Sequence, residues 1–95
     1  MSHAYVVGQI AVKNEALWVE YRSKVPATLE PWGAELLFRG KRTATDDLNP
    51  SHTHIVVIKF STLDDVNGWL QSAAYKALIP LRNEAAELVS MTYED

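Results

Sequence analysis

Apolar positions along the chain fall into two spacings. Tyr5 to Val12 is dense in Tyr, Val and Ile and closes at Lys13-Asn14, the pattern of a strand ended by a turn or helix cap. Asn14 is the expected N-cap. From Glu15 onward, Leu17, Trp18, Tyr21, Val25 and Leu29 recur at helical steps, which predicts an amphipathic helix running to about Trp32 and stopping at Gly33. Pro26 lies inside that stripe, and because it has no N–H and crowds the preceding turn it is expected to kink or split the helix. Ala34 to Gly40 reads as a second strand bounded by glycines, and His54 to Phe60 as a third. Between them, Lys41 to Thr53 is polar, contains Asn49-Pro50 and has no period, so it reads as a loop long enough to suspect function. Ser61-Thr62-Leu63-Asp64 resembles a capping box with Asp in place of Glu and opens a helix carrying Val66, Trp69 and Leu70. Ser72 to Glu87 continues in helical pattern, with Pro80 beginning a new first turn, and Leu88 to Tyr93 is the last strand.

The order β-α-β-β-α-β is the split βαβ arrangement of a ferredoxin-like α+β domain, an antiparallel sheet with helices on one face. Neither repeats nor linkers interrupt it, so one domain is expected over residues 1–95. The strands do not alternate apolar with polar. Ile55 and Val57 oppose Val56, Ile58 and Phe60, and Tyr5 and Val7 oppose Val6, Ile10 and Val12, so both sheet faces look buried. Helices cover one face. The simplest cover for the other is a second copy of the chain across a two-fold axis, giving a homodimer.

Composition narrows the chemistry. With 9 Lys+Arg against 12 Asp+Glu the formal charge is −3, and the basic residues are scattered, which argues against nucleic acid or an anionic membrane as partner. The third strand also lacks the aromatic and basic residues with which an RNA-binding sheet stacks bases. No apolar run approaches the roughly 20 residues that cross a bilayer. Absence of cysteine excludes disulfides, Cys-ligated zinc, iron–sulfur clusters and thiol nucleophiles. The start of the sequence lacks a basic segment ahead of an apolar one, so the expected location is cytoplasmic. The four glycines form neither a dinucleotide fingerprint nor a phosphate loop. His52 and His54 have the spacing of two ligands on one strand face, but a third would have to come from Asp46, Asp47 or Glu35. Exposed loop and strand-start residues are the plainer reading, and no metal or cofactor is expected.

An ordered set of residues runs through the chain: Tyr21, Val25-Pro26, Gly33, Phe38-Arg39-Gly40, Val56-Val57-Ile58 with Phe60, Trp69, Ser72, Tyr75, Leu78 and Pro80-Leu81-Arg82. It resembles the bacterial family called domain of unknown function 1330, within the dimeric α/β-barrel superfamily. The resemblance implies a homodimer with a pocket between each sheet and its helices. The superfamily includes small monooxygenases, muconolactone isomerases and stress-responsive barrels, and the family supplies no settled reaction. Relatives that bind haem do so through a helical His, which this chain lacks. It also departs from the family at Trp69-Leu70 and Ala73-Ala74-Tyr75, and has no Glu-Gly in the long loop.

Within that frame Trp18, Trp32, Trp69, Tyr21 and Tyr75 read either as core or as cavity lining. Tyr hydroxyls in a cavity would be proton donors or substrate anchors. Arg39 shares a strand face with Leu37 by simple alternation. Arg82 follows Tyr75 and Leu78 with no acid one turn away, which leaves a salt bridge to another element, a solvated head, or an anion anchor. The candidate ligand-binding residues are Arg39, Arg82, Tyr75, Trp69 and Tyr21. They suggest a small-molecule-binding dimer, with a cofactor-free enzyme acting on a small organic acid or aromatic metabolite as the leading expectation. The alternative is a non-enzymatic stress or regulatory dimer with a filled core.

Overall fold

A computed structural model describes residues 3–43 and 52–95. Strand β1 spans Ala4–Val12, helix α1 Glu15–Leu29, β2 Glu35–Lys41, β3 His54–Phe60, α2 Leu63–Gln71, α3 Ala73–Lys76, α4 Ile79–Ala85 and β4 Ala86–Glu94. The four strands form one sheet in the order β2-β3-β1-β4, and every neighbouring pair is antiparallel. This is the ferredoxin-like α+β fold that the pattern of elements predicts.

Local chemistry accounts for most boundaries. Asn14 caps α1, its side chain accepting from the Leu17 N–H at 3.0 Å. The helix runs unbroken through Pro26 to Leu29, so the expected split does not occur. Pro26 is exposed, while Trp18, Tyr21, Thr28 and Leu29 on either side of it are buried. Their packing outweighs the one hydrogen bond that Pro26 cannot make. Glu30–Trp32 tightens into a 3₁₀ turn, and Gly33 stops the chain in the left-handed region at φ 61°. Thr62, rather than Ser61, is the N-cap of α2 and accepts from the Asp65 N–H at 3.1 Å.

The segment after α2 is also more divided than its periodicity suggests. Ser72 is extended at ψ 145° and caps α3, Pro80 lies in the first turn of α4, and α4 gives way to β4 at Ala86. Sheet pairing extends the strand here, since Ala86 and Glu87 continue the ladder opposite Val12 and Ala11. Most of the long loop lies outside the described residues. Its neck is closed by the Arg42 N–H donating to the Thr53 carbonyl at 2.7 Å.

The core lies on the helical side of the sheet. Ala4, Val6 and Ile10 of β1 and Ile58 and Phe60 of β3 meet Trp18, Tyr21, Leu29, Val66, Trp69 and Tyr75. Alternation puts Tyr5, Val7, Val57, Val89, Met91 and Tyr93 on the opposite face, where β1 pairs Tyr5 with Tyr93 and Val7 with both Val57 and Met91. Among the described residues no element covers them. Phe38 is 55% exposed, Val89 44% and Tyr93 53%. Gly40 shapes this face, because a Cβ there would fall 2.5 Å from the Phe38 ring that lies across it.

A bulge in β2 changes one expected orientation. Leu36 pairs with Ile58, Phe38 with Val57 and Arg39 with Val56, leaving Leu37 as the extra residue. Arg39 therefore shares the helical face with Leu36, not through the simple alternation with Leu37.

Candidate functional site

Between the helical face of the sheet and α1 to α4 lies a cavity of about 310 Å³, at the small end for ligand pockets. Gly8 lies in its wall. A Cβ at Gly8 would come within 3.0 Å of Val56 and 3.1 Å of Leu88, so the glycine keeps that part of the wall recessed. Aromatic side chains give the remaining walls their shape. Trp18 stacks on Tyr21 at 5.4 Å between ring centres, as expected for neighbours one turn apart on α1. Trp69 packs on Tyr75 at 4.2 Å and on Phe60 at 5.5 Å. The Trp69 ring is pinned by its N–H, which donates to the Thr28 hydroxyl at 3.0 Å, while that hydroxyl donates to the Val25 carbonyl at 2.6 Å.

Polar groups converge at one end. The Arg82 Nη1–H donates to the Tyr75 hydroxyl at 2.9 Å, and the Tyr75 and Tyr21 hydroxyls are bonded to each other at 3.1 Å. Burial, with Tyr75 next in importance, pushes the Tyr21 pKa above the ordinary phenol value, and the positive charge of Arg82 only partly opposes this. Arg82 also approaches Asn83 Oδ1 through Nε and Nη2, both at 3.4 Å. Its nearest acceptors are thus neutral. The two residues separated by Pro80 in the sequence do face one another.

Elsewhere on the wall stand Arg22, Arg39 and His54. Partial burial lowers the Arg39 pKa from its usual value and Arg22 lowers it further, as expected for two cations sharing a rim. Asp and Glu are absent from the described lining. The cavity thus offers cationic and hydroxyl donors without a carboxylate to neutralise them.

All five residues singled out from the sequence, Arg39, Arg82, Tyr75, Trp69 and Tyr21, line this one cavity. Sequence reasoning did not single out Arg22, His54, Ser90 or Thr92 as lining. For Arg22 the signal was helical spacing, four residues after Trp18, and for the strand residues it was period two: His54 precedes Val56, Ile58 and Phe60 on the same face, and Ser90 and Thr92 pair with Gly8 and Val6. His54 is therefore half-buried in the wall instead of being an exposed strand start, with its Nδ1 3.0 Å from the Thr53 hydroxyl. Asp46 and Asp47, considered as companions to the histidines, lie outside the described residues. Among the described residues no three His, Cys, Asp or Glu side chains gather as a metal site would require.

The sheet order and the helices on one face of the sheet define a protein of the ferredoxin-like α+β class. The chain matches the family described as "Domain of unknown function (DUF1330)" over residues 3–94 and belongs to it. No curated protein matches the sequence. Among solved structures the chain is similar to the RPA0582 protein of unknown function from Rhodopseudomonas palustris, with TM-score 0.78, 10% identity, and coverage of 99% of this chain and 81% of that one. It is also similar to SnoaB, a cofactor-independent oxygenase from Streptomyces nogalater, with TM-score 0.73, 7% identity and coverage of 98% and 92%. A third is a dimeric protein of unknown function and ferredoxin-like fold from Bacteroides fragilis, with TM-score 0.69, 12% identity and coverage of 98% and 96%. Among the described residues no helix is long and apolar enough to cross a membrane.

Proposed function

We propose that the chain is a homodimeric, cytoplasmic, small-molecule-binding barrel whose inner cavity takes a small aromatic or carboxylic anion and acts on it without a cofactor. The carrying observation is the excess of donors: Arg22, Arg39, Arg82 and His54 share an aromatic-walled cavity whose described lining contains no carboxylate. Arginines gathered around one cavity repel each other, and an anion among them relieves that repulsion. The ligand supplies that charge, the tryptophans supply flat apolar walls, and the Tyr21 and Tyr75 hydroxyls supply protons to hold or move. The dimeric and cofactor-independent proteins of similar fold are consistent with this reading. A dimer whose interior is merely filled is the weaker reading, because the space is open and its polar groups converge.

The test is a melting-temperature screen with benzoate and related small carboxylates. Benzoate should raise the melting temperature of the wild type, and Arg39→Leu and Arg82→Leu should each lose most of that rise. A panel of aromatic and aliphatic carboxylates that all leave the wild-type melt unmoved would refute the reading.

A further inference from the structure

The polar end of the cavity has more hydrogens than acceptors. Tyr21 and Tyr75 each carry one hydroxyl hydrogen, and a single bond joins the two oxygens. Arg82 adds another donor to the Tyr75 oxygen. Whichever tyrosine donates to the other, one hydroxyl hydrogen is left over, with no acceptor for it among the described residues. If Tyr75 donates to Tyr21, the chain from Arg82 through Tyr75 ends on the Tyr21 hydrogen. If Tyr21 donates instead, Tyr75 accepts two bonds and its own hydrogen is left. Both side chains are buried and both line the cavity.

We propose that the Tyr21–Tyr75–Arg82 chain is an oxyanion site, and that its ligand is a planar phenol or enolisable ketone bound through a phenolate or enolate oxygen. This rests on the reading of the cavity as an anion site and specifies the anion. A carboxylate is best matched by an open guanidinium fork, which offers two parallel donors. Arg82 turns its Nε/Nη2 fork to Asn83, with both atoms 3.4 Å from Oδ1, and gives one Nη1 hydrogen to Tyr75, so the Nε/Nη2 fork is already taken up. What this end presents is one hydroxyl hydrogen, polarised by the chain behind it, which suits an acceptor with a single charged oxygen. A phenol donor and a phenolate or enolate acceptor bind their shared proton with similar strength, and an O–H···O⁻ bond between them is short and strong. Fixed donors in a water-poor site stabilise such an oxygen without reorganising. The packed rings of Trp69 and Tyr75, and of Trp18 and Tyr21, favour a flat ring beside that oxygen. Binding of this kind lowers the proton affinity of the ligand oxygen, which is what a cofactor-free enzyme needs in order to hold an enolate.

The probe is 4-nitrophenol, whose anion is yellow and whose ionisation can be read while it is bound. With wild-type protein in excess, the ionisation midpoint of the bound probe should fall by about one pH unit or more, equivalent to about tenfold tighter binding of phenolate than of phenol. Tyr75→Phe and Arg82→Gln should still bind the probe but return its midpoint towards that of the free phenol, with folding checked by circular dichroism. Should Tyr75→Phe fail to fold, Tyr21→Phe serves in its place. A bound probe with an unshifted or raised midpoint overturns the proposal, as does a shift that survives both tyrosine substitutions. Binding of benzoate without binding of 4-nitrophenol also overturns it while leaving the wider anion reading intact; binding of neither removes both.

Discussion

The two faces of the same sheet solve opposite problems. Towards the helices, Val6, Ile10, Ile58 and Phe60 build a core, yet the same face carries Arg39, His54, Ser90 and Thr92 beside an unfilled space. Away from the helices, Phe38, Val89 and Tyr93 are apolar and exposed. The inner face has polar groups lacking a counter-charge, and the outer face has apolar surface lacking a cover. On the proposed reading, a small anion would satisfy the first and a second copy of the chain the second. One sheet can serve both because side chains alternate at every residue, so each face evolves on its own set of positions.

Substitutions can break this division. The largest effect is expected at Trp69, which joins the core to the cavity wall. Trp69→Ala should cost about 3–5 kcal/mol in chemical denaturation, since a large aromatic contact is lost. Trp69→Phe should cost only about 1 kcal/mol through loss of the bond to Thr28. If Trp69→Ala melts like the wild type, the inner face is not the packed region described.

On the outer face, Phe38→Glu combined with Val89→Asp should dissociate the dimer by burying charges at the interface. The dissociation constant should rise by about 100-fold or more, roughly 3 kcal/mol, measured by light scattering after size exclusion. A wild type that is monomeric at micromolar concentration would remove the proposed role of this face altogether.

Arg82→Leu separates the faces in the other direction. It should weaken benzoate binding, through loss of its positive charge, while leaving the ligand-free protein as stable as before or more so, because the guanidinium has only neutral partners nearby. A structural ion pair would behave differently, with its loss costing about 3–5 kcal/mol.

The smallest effect is alkaline. The folded-state pKa of Tyr21 is raised, so its contribution is fully present below the unfolded phenol value of about 10 and is lost as pH rises through the folded value. Stability should therefore fall above about pH 10, where the unfolded chain ionises first. Tyr21→Phe should flatten that part of the stability curve, as read from urea midpoints between neutral and alkaline pH. An unchanged slope would mean that Tyr21 is not held protonated by its surroundings.

Most of the fold was legible because its signals are local or periodic. Asn14 as a cap, Gly33 as a stop and the apolar runs of β1 and β3 require only neighbouring residues. The misplaced features depend on distant partners. Pro26 sits unbroken in α1 because buried residues on both sides hold the helix, which propensity alone does not reveal. The helix ends at Ala85 because β1 offers ladder partners to Ala86 and Glu87. The bulge that turns Arg39 towards the helices depends on register against β3. The candidate site followed the same rule. Tyr75 and Arg82 were linked by spacing, whereas the Tyr21–Tyr75 bond joins residues 54 positions apart and could not be read from either segment.

The central claim is that the inner cavity is built for negative charge. Titration calorimetry comparing benzoate with benzyl alcohol, similar in shape but neutral, tests it most directly. The account predicts about tenfold or greater preference for benzoate, weakening as salt screens the arginines. Equal affinity, or a preference for the alcohol, would contradict it.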